Sequence, residues 1–490
     1  MTSAAPDPFA HRPRRLWRRV VVEAPAGLVD EAADIVAEVS GAGVEITMAL
    51  PPATPRPTER VIGYLTLDDA ADGREARLRR ELAALAARGG APGAIAVRSE
   101  PLLEEDWGAG WKEHFHPFHV APLLVIKPSW EPYEPLPGEA VIEMDPGMAF
   151  GTGLHASTRL ALGFIEEICA GTPPDRALDV GTGTGILAMA AALRGASLVI
   201  AIDNDPDAVV AARENVARND LAGRIGVSGL DLGAINGKFD LVTANITADV
   251  LLPLAPRLAG CLSPCGALVL AGLLAGEQTR EVRAAYEGLG LLCAGERVEG
   301  EWASLLLVAP AGGEVFELVD EQGRTVGRAP RALCHRTPSL LHRAAHVIVT
   351  DGEGRVYLQK RALDKDIQPG KWDTSVGGHV DAGEDFEAGA RREMREELGL
   401  AGELRFLYRY LWRTACETEL VETFLHVARS EPQPRPEEID EGRWFSLSEA
   451  AALVASGGAT PNLAEELRLV GEAGPTVIPG AALTAGSTTL

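Results

Sequence analysis

The chain is short of positive charge, of paired cysteines and of long apolar runs. Lysine and arginine number 46 against 70 aspartates and glutamates, a net charge of −24 over 490 residues. That balance argues against indiscriminate binding of polyanions, so no direct nucleic-acid partner is expected. The basic stretch "RPRRLWRR", with Arg12, Arg14, Arg15, Arg18 and Arg19, reads as a solvated chain start. The six cysteines (Cys169, Cys261, Cys265, Cys293, Cys334 and Cys416) are scattered and form no CxxC pair. Such spacing fits reduced, buried thiols and offers no second pair for a zinc site. No apolar run reaches the ~18 residues of a membrane helix, so no membrane partner is expected. "MTSAAPDPFAH" lacks the apolar core of a secretory signal, which leaves the cytoplasm as the expected compartment. No repeat of solenoid period is present.

What is present needs more than one core, because 490 residues exceed the size at which a single core stops growing. Residues 14–104 alternate strand patterns ("WRRVVVEA", "VIGYLTL") with amphipathic helices ("LVDEAADIVAEVSGAG", "REARLRRELAALAARGG") around a Pro-rich loop, "ALPPATPRPTER". They predict a small α/β domain. Residues 105–310 open with a connector, "DWGAGWKEHFHPFHV", and then alternate β and α patterns from "RALDV" to "GALVLAGLL". That order predicts a parallel, doubly wound sheet. His114, His116 and His119 in the connector have no carboxylates or cysteines spaced to join them as metal ligands, and read as packing residues. Gly312 and Gly313 mark the next boundary. Residues 313–473 are β-rich with two helices, near 385–398 and 462–471, and 474–490 read as a flexible tail.

"RALDVGTGTGILAMAA" is a strand, a glycine turn and a helix. Gly181, Gly183 and Gly185 let a backbone approach a ligand closely, and Asp203 ends the next strand where an acid accepts hydrogen bonds from ribose hydroxyls. The spacing differs from the Gly-x-Gly-x-x-Gly of dinucleotide folds, which favours a nucleoside without a pyrophosphate. "MDPGMAFGTGLHAST" is a second glycine-rich segment, and "LVTANITADVL" puts Asn245 at a strand's carboxyl end, facing the ligand crevice of an open α/β sheet.

Together with "IKPSW" and "IDNDP", these segments closely resemble the PrmA family over residues 16–308. Its members are S-adenosylmethionine-dependent methyltransferases of protein eleven of the large ribosomal subunit. The resemblance implies a Rossmann-like class I methyltransferase with a parallel-dominated sheet, and S-adenosylmethionine as cofactor. It implies Thr158, Gly181, Asp203 and Asn245 as cofactor contacts beside Gly183 and Gly185, and Asn245 as catalytic. The ribosomal protein is the implied partner, methylated on lysine and N-terminal amines and recognised by the small first domain. Two departures are "LHAST" (Leu154, Ala156, Ser157) and "NITADVL", which adds Asp249 at the acceptor edge. They bear on which amines are methylated. Another protein or a small molecule is the alternative substrate.

"GGHVDAGEDFEAGARREMREELGL" places Glu393, Glu396 and Glu397 on one helix face, where like charges repel by ~0.2–0.5 kcal/mol per pair. A divalent cation removes that repulsion, and oxygen ligands favour Mg²⁺ or Mn²⁺. The pattern is identical to the Nudix signature, which implies an α/β/α sandwich that hydrolyses a diphosphate of nucleoside type. The resemblance implies Glu393, Glu396 and Glu397 as metal ligands, with Glu396 and Glu397 catalytic. Arg392 is expected to hold Glu384, and Glu422 is a further candidate ligand or base. "QKRALDKDIQPGKWDTSVGGHVDAGE" resembles the branch akin to isopentenyl-diphosphate isomerase, but Gly377 stands where isomerases carry a cysteine. Hydrolysis needs no such group. A nucleotide-sensing module without turnover is the other reading.

Overall fold

Alternating Val20, Val22 and Ala24 are fully buried on one face of β1 (Leu16–Pro25). They pack against α1 (Val29–Ser40) and against Leu78, Leu82 and Leu85 of the later helix. The structure, a computed structural model, describes residues 16–25, 28–40, 45–48, 58–66, 71–88, 95–103, 116–145, 153–363, 368–436, 439–473 and 477–479. Residues 1–116 form one unit and 117–490 a second, and each is described by itself. In the first, β2 (Glu45–Met48), β3 (Thr58–Thr66), α2 (Ala71–Arg88) and β4 (Ala96–Leu103) complete an antiparallel sheet of order β2-β3-β1-β4. The small α/β domain is therefore present. The loop at 49–57 and Arg12, Arg14 and Arg15 lie outside the described residues.

In the second unit, the connector runs into a small sheet of β5 (Phe118–Ala121), β6 (Leu124–Lys127) and β7 (Ala140–Glu143). His119 Nε2 lies 2.7 Å from Glu139 Oε1. There follow α3 (Ala156–Ala170), β8 (Arg176–Val180), α4 (Ile186–Leu193), β9 (Leu198–Ile202), α5 (Pro206–Arg218) and β10 (Ile225–Ser228). Then come β11 (Phe239–Asn245), α6 (Ala248–Gly260), β12 (Leu262–Leu274), α7 (Glu277–Glu287), β13 (Leu292–Glu299) and β14 (Trp302–Val308). The sheet order is β10-β9-β8-β11-β12-β14-β13, parallel up to β12 and antiparallel beyond it. β8 and β11 are almost wholly buried, as expected of parallel strands covered on both faces.

The last sheet contains β15 (Val315–Val319), β16 (Thr325–Pro330), a one-turn α8 (Arg331–Cys334), β17 (His342–Thr350), β18 (Arg355–Arg361), β19 (Trp372–Asp373) and β20 (Val376–His379). It continues through α9 (Phe386–Leu398), β21 (Arg405–Arg413), β22 (Thr418–Val427), β23 (Ile439–Ser446), α10 (Leu447–Ala455) and α11 (Pro461–Ala473). β17 is central: it pairs antiparallel with β20 and parallel with β22. α9 packs on one face through Ala390, Met394 and Leu398, against Ala345, Val347 and Val376. The two large sheets of this unit touch. A Cβ at Gly327 of β16 would stand 2.6 Å from the Ala294 carbonyl of β13. The Thr172 amide donates to the Arg336 carbonyl at 3.2 Å.

Candidate active sites

After β8 the backbone turns through Gly181, Gly183 and Gly185 at φ of 71°, 54° and 83°, values open to glycine. A Cβ at Gly181 would also stand 2.6 Å from Ile246. The loop is tied to β9: the Gly181 and Thr182 amides both donate to the Ile202 carbonyl. Asp203 Oδ2 accepts from the Gly183 amide at 2.8 Å, and its Oδ1 accepts from the Asp205 amide at 3.0 Å. Asp205 in turn caps α5, with Pro206 at its first position. Asp179, buried beneath the loop, accepts from the hydroxyls of Thr182 at 2.5 Å and Thr243 at 2.7 Å. Burial pushes its carboxyl up to about 6.

Thr158 is buried in the first turn of α3, whose N-cap is His155. Asn245 ends β11, and its Nδ2 donates to Thr158 Oγ1 at 3.2 Å. Its Oδ1 is buried and has no partner. Two residues 87 positions apart in sequence thus meet at the carboxyl edge of the sheet, beside the glycine cradle. Asp249 is exposed in the first turn of α6. Residues 146–152 of "MDPGMAFGTGLHAST" and 104–115 of the connector, His114 included, lie outside the described residues.

In the acidic helix, Asp385 caps the start by accepting from the Ala388 amide at 2.7 Å, and Gly399 ends it at φ 65°. The guanidinium of Arg392 pairs with Glu384 at 3.1 Å and Glu393 at 2.7 Å, and donates to the His379 carbonyl at 2.9 Å. Arg392 holds the Glu384 carboxyl below its ordinary range, whereas burial raises that of Glu393. A Cβ at Gly378 would overlap the Glu393 carboxyl group, so only glycine leaves this carboxylate its seat on the strand. Glu396 is half exposed, and Glu397 is buried and accepts from Gln359 Nε2 at 3.1 Å. The three signature glutamates share the helix face. Glu422 pairs with Arg409.

A second cluster escaped the sequence reading. The ligand atoms of His335, His342 and His379 lie within 4.8 Å of one another, as do those of His342, Glu417 and Glu419. Among the described residues these are the two groups of three or more such ligand atoms, and the signature glutamates belong to neither. His379 Nε2 is 3.3 Å from Glu419, and His335 Nε2 is 3.5 Å from Glu417. His342 Nδ1 donates to the Leu340 carbonyl at 3.1 Å, so its buried, unpartnered Nε2 presents a lone pair to the cluster. Burial lowers His335 and His342 to about 4, keeping both neutral. Burial alone would raise Glu419, but the hydrogen bond from His379 and the nearby histidines bring it down to about 2. Phe316 stacks on His342 and His379 with ring centroids at 5.1 and 4.5 Å. The available signal was "ETE" at the start of a strand, whose period of two aligns Glu417, just before β22, with Glu419.

These features define the class: a doubly wound methyltransferase sheet followed by a Nudix sheet bearing an acidic helix. The profile of the family described as ribosomal protein L11 methyltransferase (PrmA) matches residues 17–309, and that of the NUDIX domain matches residues 340–464. A ribosomal protein L11 methyltransferase of Geobacter metallireducens is 42% identical over 301 residues, 60% of this chain and 99% of that one. A solved ribosomal protein L11 methylase from Lactobacillus delbrueckii subsp. bulgaricus is 34% identical, covering 40% of this chain and 100% of its own, at a TM-score of 0.36. A solved Deinococcus radiodurans protein is 28% identical, covering 32% and 98%, at a TM-score of 0.28. The chain belongs to the ribosomal protein L11 methyltransferase (PrmA) family and carries a Nudix hydrolase domain behind it.

Proposed function

We propose that this protein transfers methyl groups from S-adenosylmethionine to amino groups of ribosomal protein L11, and that its Nudix domain hydrolyses a nucleoside-diphosphate-type substrate with a divalent cation. The observation that carries the first half is the buried, unpartnered Oδ1 of Asn245. An amide oxygen in that position accepts an N–H from an incoming amine and aims its lone pair, without a base strong enough to protonate. Thr158 holds the amide by taking its other end at 3.2 Å. Gly181, Gly183 and Gly185 would cradle the cofactor, and Asp203, already a double acceptor of backbone amides, would hold its ribose. When bound, the cofactor supplies a methyl group on a cationic sulfur, and displacement then depends on alignment. Full-length protein incubated with labelled methyl donor and L11 tests this. Labelling of L11 amines is expected; labelling of a different protein instead would refute the substrate.

For the second half, Glu393, Glu396 and Glu397 would offer oxygen ligands suited to Mg²⁺ or Mn²⁺, while His335, His342, His379, Glu417 and Glu419 offer a mixed set suited to Mn²⁺, Fe²⁺ or Zn²⁺. A bound cation supplies charge neutralisation and an activated water. The protein keeps the His335 and His342 imidazoles neutral, braces the Glu393 carboxylate through Arg392 and closes the cluster with Phe316. Turnover of a nucleoside-diphosphate panel with Mg²⁺ or Mn²⁺ tests it; binding without turnover would favour a sensor.

A further inference from the structure

Four of the five residues in the His/Glu cluster are placed by the Nudix sheet itself. His342 stands on β17, His379 on β20 and Glu419 on β22, with Glu417 just before that strand. Strand pairing sets their positions: Ala344 is in register with His379, and His342 with Glu419. The other end of β17 is also held from within, where His346 Nδ1 lies 2.9 Å from Glu466 Oε1 of α11. His335 is different. It caps the one-turn α8, on the segment that joins β16 to β17. A single helical turn fixes its residues for very few hydrogen bonds and does not hold itself in place.

The two ends of that turn are tied to different domains. Before it, the Arg331 amide donates to the Glu314 carbonyl at 2.9 Å, and the Arg331 guanidinium pairs with the Glu314 carboxylate at 2.7 Å. Both partners belong to the Nudix side. Beyond His335, the chain is tied to the methyltransferase domain. The Arg336 carbonyl accepts from the Thr172 amide at 3.2 Å, and Arg336 Nη2 donates to the Cys265 carbonyl at 3.1 Å. No carboxylate among the described residues pairs with this guanidinium, so the Cys265 carbonyl is what holds it. Cys265 presents that carbonyl from φ 57°, a left-handed conformation rare for a residue with a side chain, at the irregular start of β12. Such a conformation persists only where its surroundings over-determine it. Gly171 ends α3 beside Thr172, and a Cβ there would collide with the Arg336 carbonyl.

We propose that the methyltransferase domain completes the metal centre of the Nudix domain: Gly171, Thr172 and Cys265 seat Arg336, and Arg336 positions its neighbour His335 for the ion. This rests on the metal reading of the cluster above. A displacement of the Arg336 backbone is carried to His335, one residue away, because only two soft dihedrals per residue lie between them. Arg336 is a positioning residue, and groups that orient a metal ligand from outside change metal affinity by about tenfold to a hundredfold.

The test uses the full-length protein and Mn²⁺ alone. Calorimetric affinity and the nitrogen coupling in the Mn²⁺ electron-spin-echo signal are measured for wild type, His335→Ala, Arg336→Ala and Gly171→Ala. Thermal unfolding of the metal-free proteins is the fold control. Arg336 lines a cavity of about 160 Å³ between the two domains, so its truncation widens an existing space. Arg336→Ala and Gly171→Ala are expected to weaken the binding event that His335→Ala weakens, by about tenfold or more. They should show coupling to one imidazole nitrogen fewer and keep the metal-free Tm of wild type. Arg336→Lys, which retains a donor for the Cys265 carbonyl, should recover affinity. Wild-type affinity and nitrogen coupling in both variants would overturn the proposal and leave the metal reading standing. Loss of affinity only where the metal-free Tm also falls would give the contact a purely structural role and overturn it as well. Mn²⁺ binding that His335→Ala does not change would overturn the metal reading, and the proposal with it.

Discussion

Asn245 has two ends with different fates: Nδ2 is fixed on Thr158, and Oδ1 is left buried for a ligand. Asn245→Ala is expected to lower kcat for methyl transfer by about tenfold to a hundredfold, with a smaller change in the apparent KM for cofactor, because it removes orientation. Asp203→Ala should act the other way, raising the cofactor KM by roughly tenfold or more through loss of a charged acceptor. Steady-state rates on L11 separate the two. Asp179 supplies a pH test. Its carboxyl sits at about 6 when folded, above the ordinary 3.8, so the folded state holds the extra proton between those values. Its contribution to stability is present below about pH 4 and is lost as pH rises through 6. Asp179→Asn should remove that slope, gaining on the order of 2 kcal/mol relative to wild type between pH 4.5 and 7.5 in urea unfolding. Of these residues, the places of Asn245 and Asp203 at the ends of strands were legible from the sequence pattern. Asp179 was not: "ALDV" gives no sign that its acid lies beneath a loop rather than at a surface.

At the scale of elements, α9 was the most legible feature. Its cap, glutamate spacing and terminal glycine are local, and the helix runs from Phe386 to Leu398 with Asp385 and Gly399 at its ends. What spacing did not give was the contact beneath it. Glu393 rests on Gly378 of another element, and Gly378→Ala would drive a methyl into that carboxylate. The atoms met are the far end of a flexible side chain, so the carboxylate leaves its seat at little cost to the fold. The expected outcome is loss of hydrolysis of at least about a hundredfold with the Tm of the Nudix domain nearly unchanged, since several kcal/mol of charge stabilisation depend on the metal site. The pairing of β5, β6 and β7 into a sheet of their own was not legible, because strands of only four residues each are too short to show a period of two.

For the second unit as a whole, Gly327 lies against the Ala294 carbonyl, and Thr172 is bonded to Arg336, the neighbour of the cluster residue His335. Gly327→Val should push these sheets apart. Wild type is expected to show one transition in calorimetric unfolding, and the variant a separate, earlier one for the Nudix sheet. Chelation is the complementary test. Dialysis against EDTA should abolish diphosphate hydrolysis and leave labelled methyl transfer in place, with Mn²⁺ restoring the former.

Both domain types, their order and the edges of the acidic helix could be read from the chain, because glycine turns, caps and helical spacing act within a few residues and leave a local period. The His/Glu cluster, the Asn245–Thr158 pair and the His346–Glu466 brace could not. Their members stand 44, 87 and 120 positions apart and meet only through strand register and the docking of α11. A one-residue shift in the pairing of β17 would turn His342 and His346 to the opposite face. That register is set by burial of the whole sheet, a property no local stretch of sequence contains.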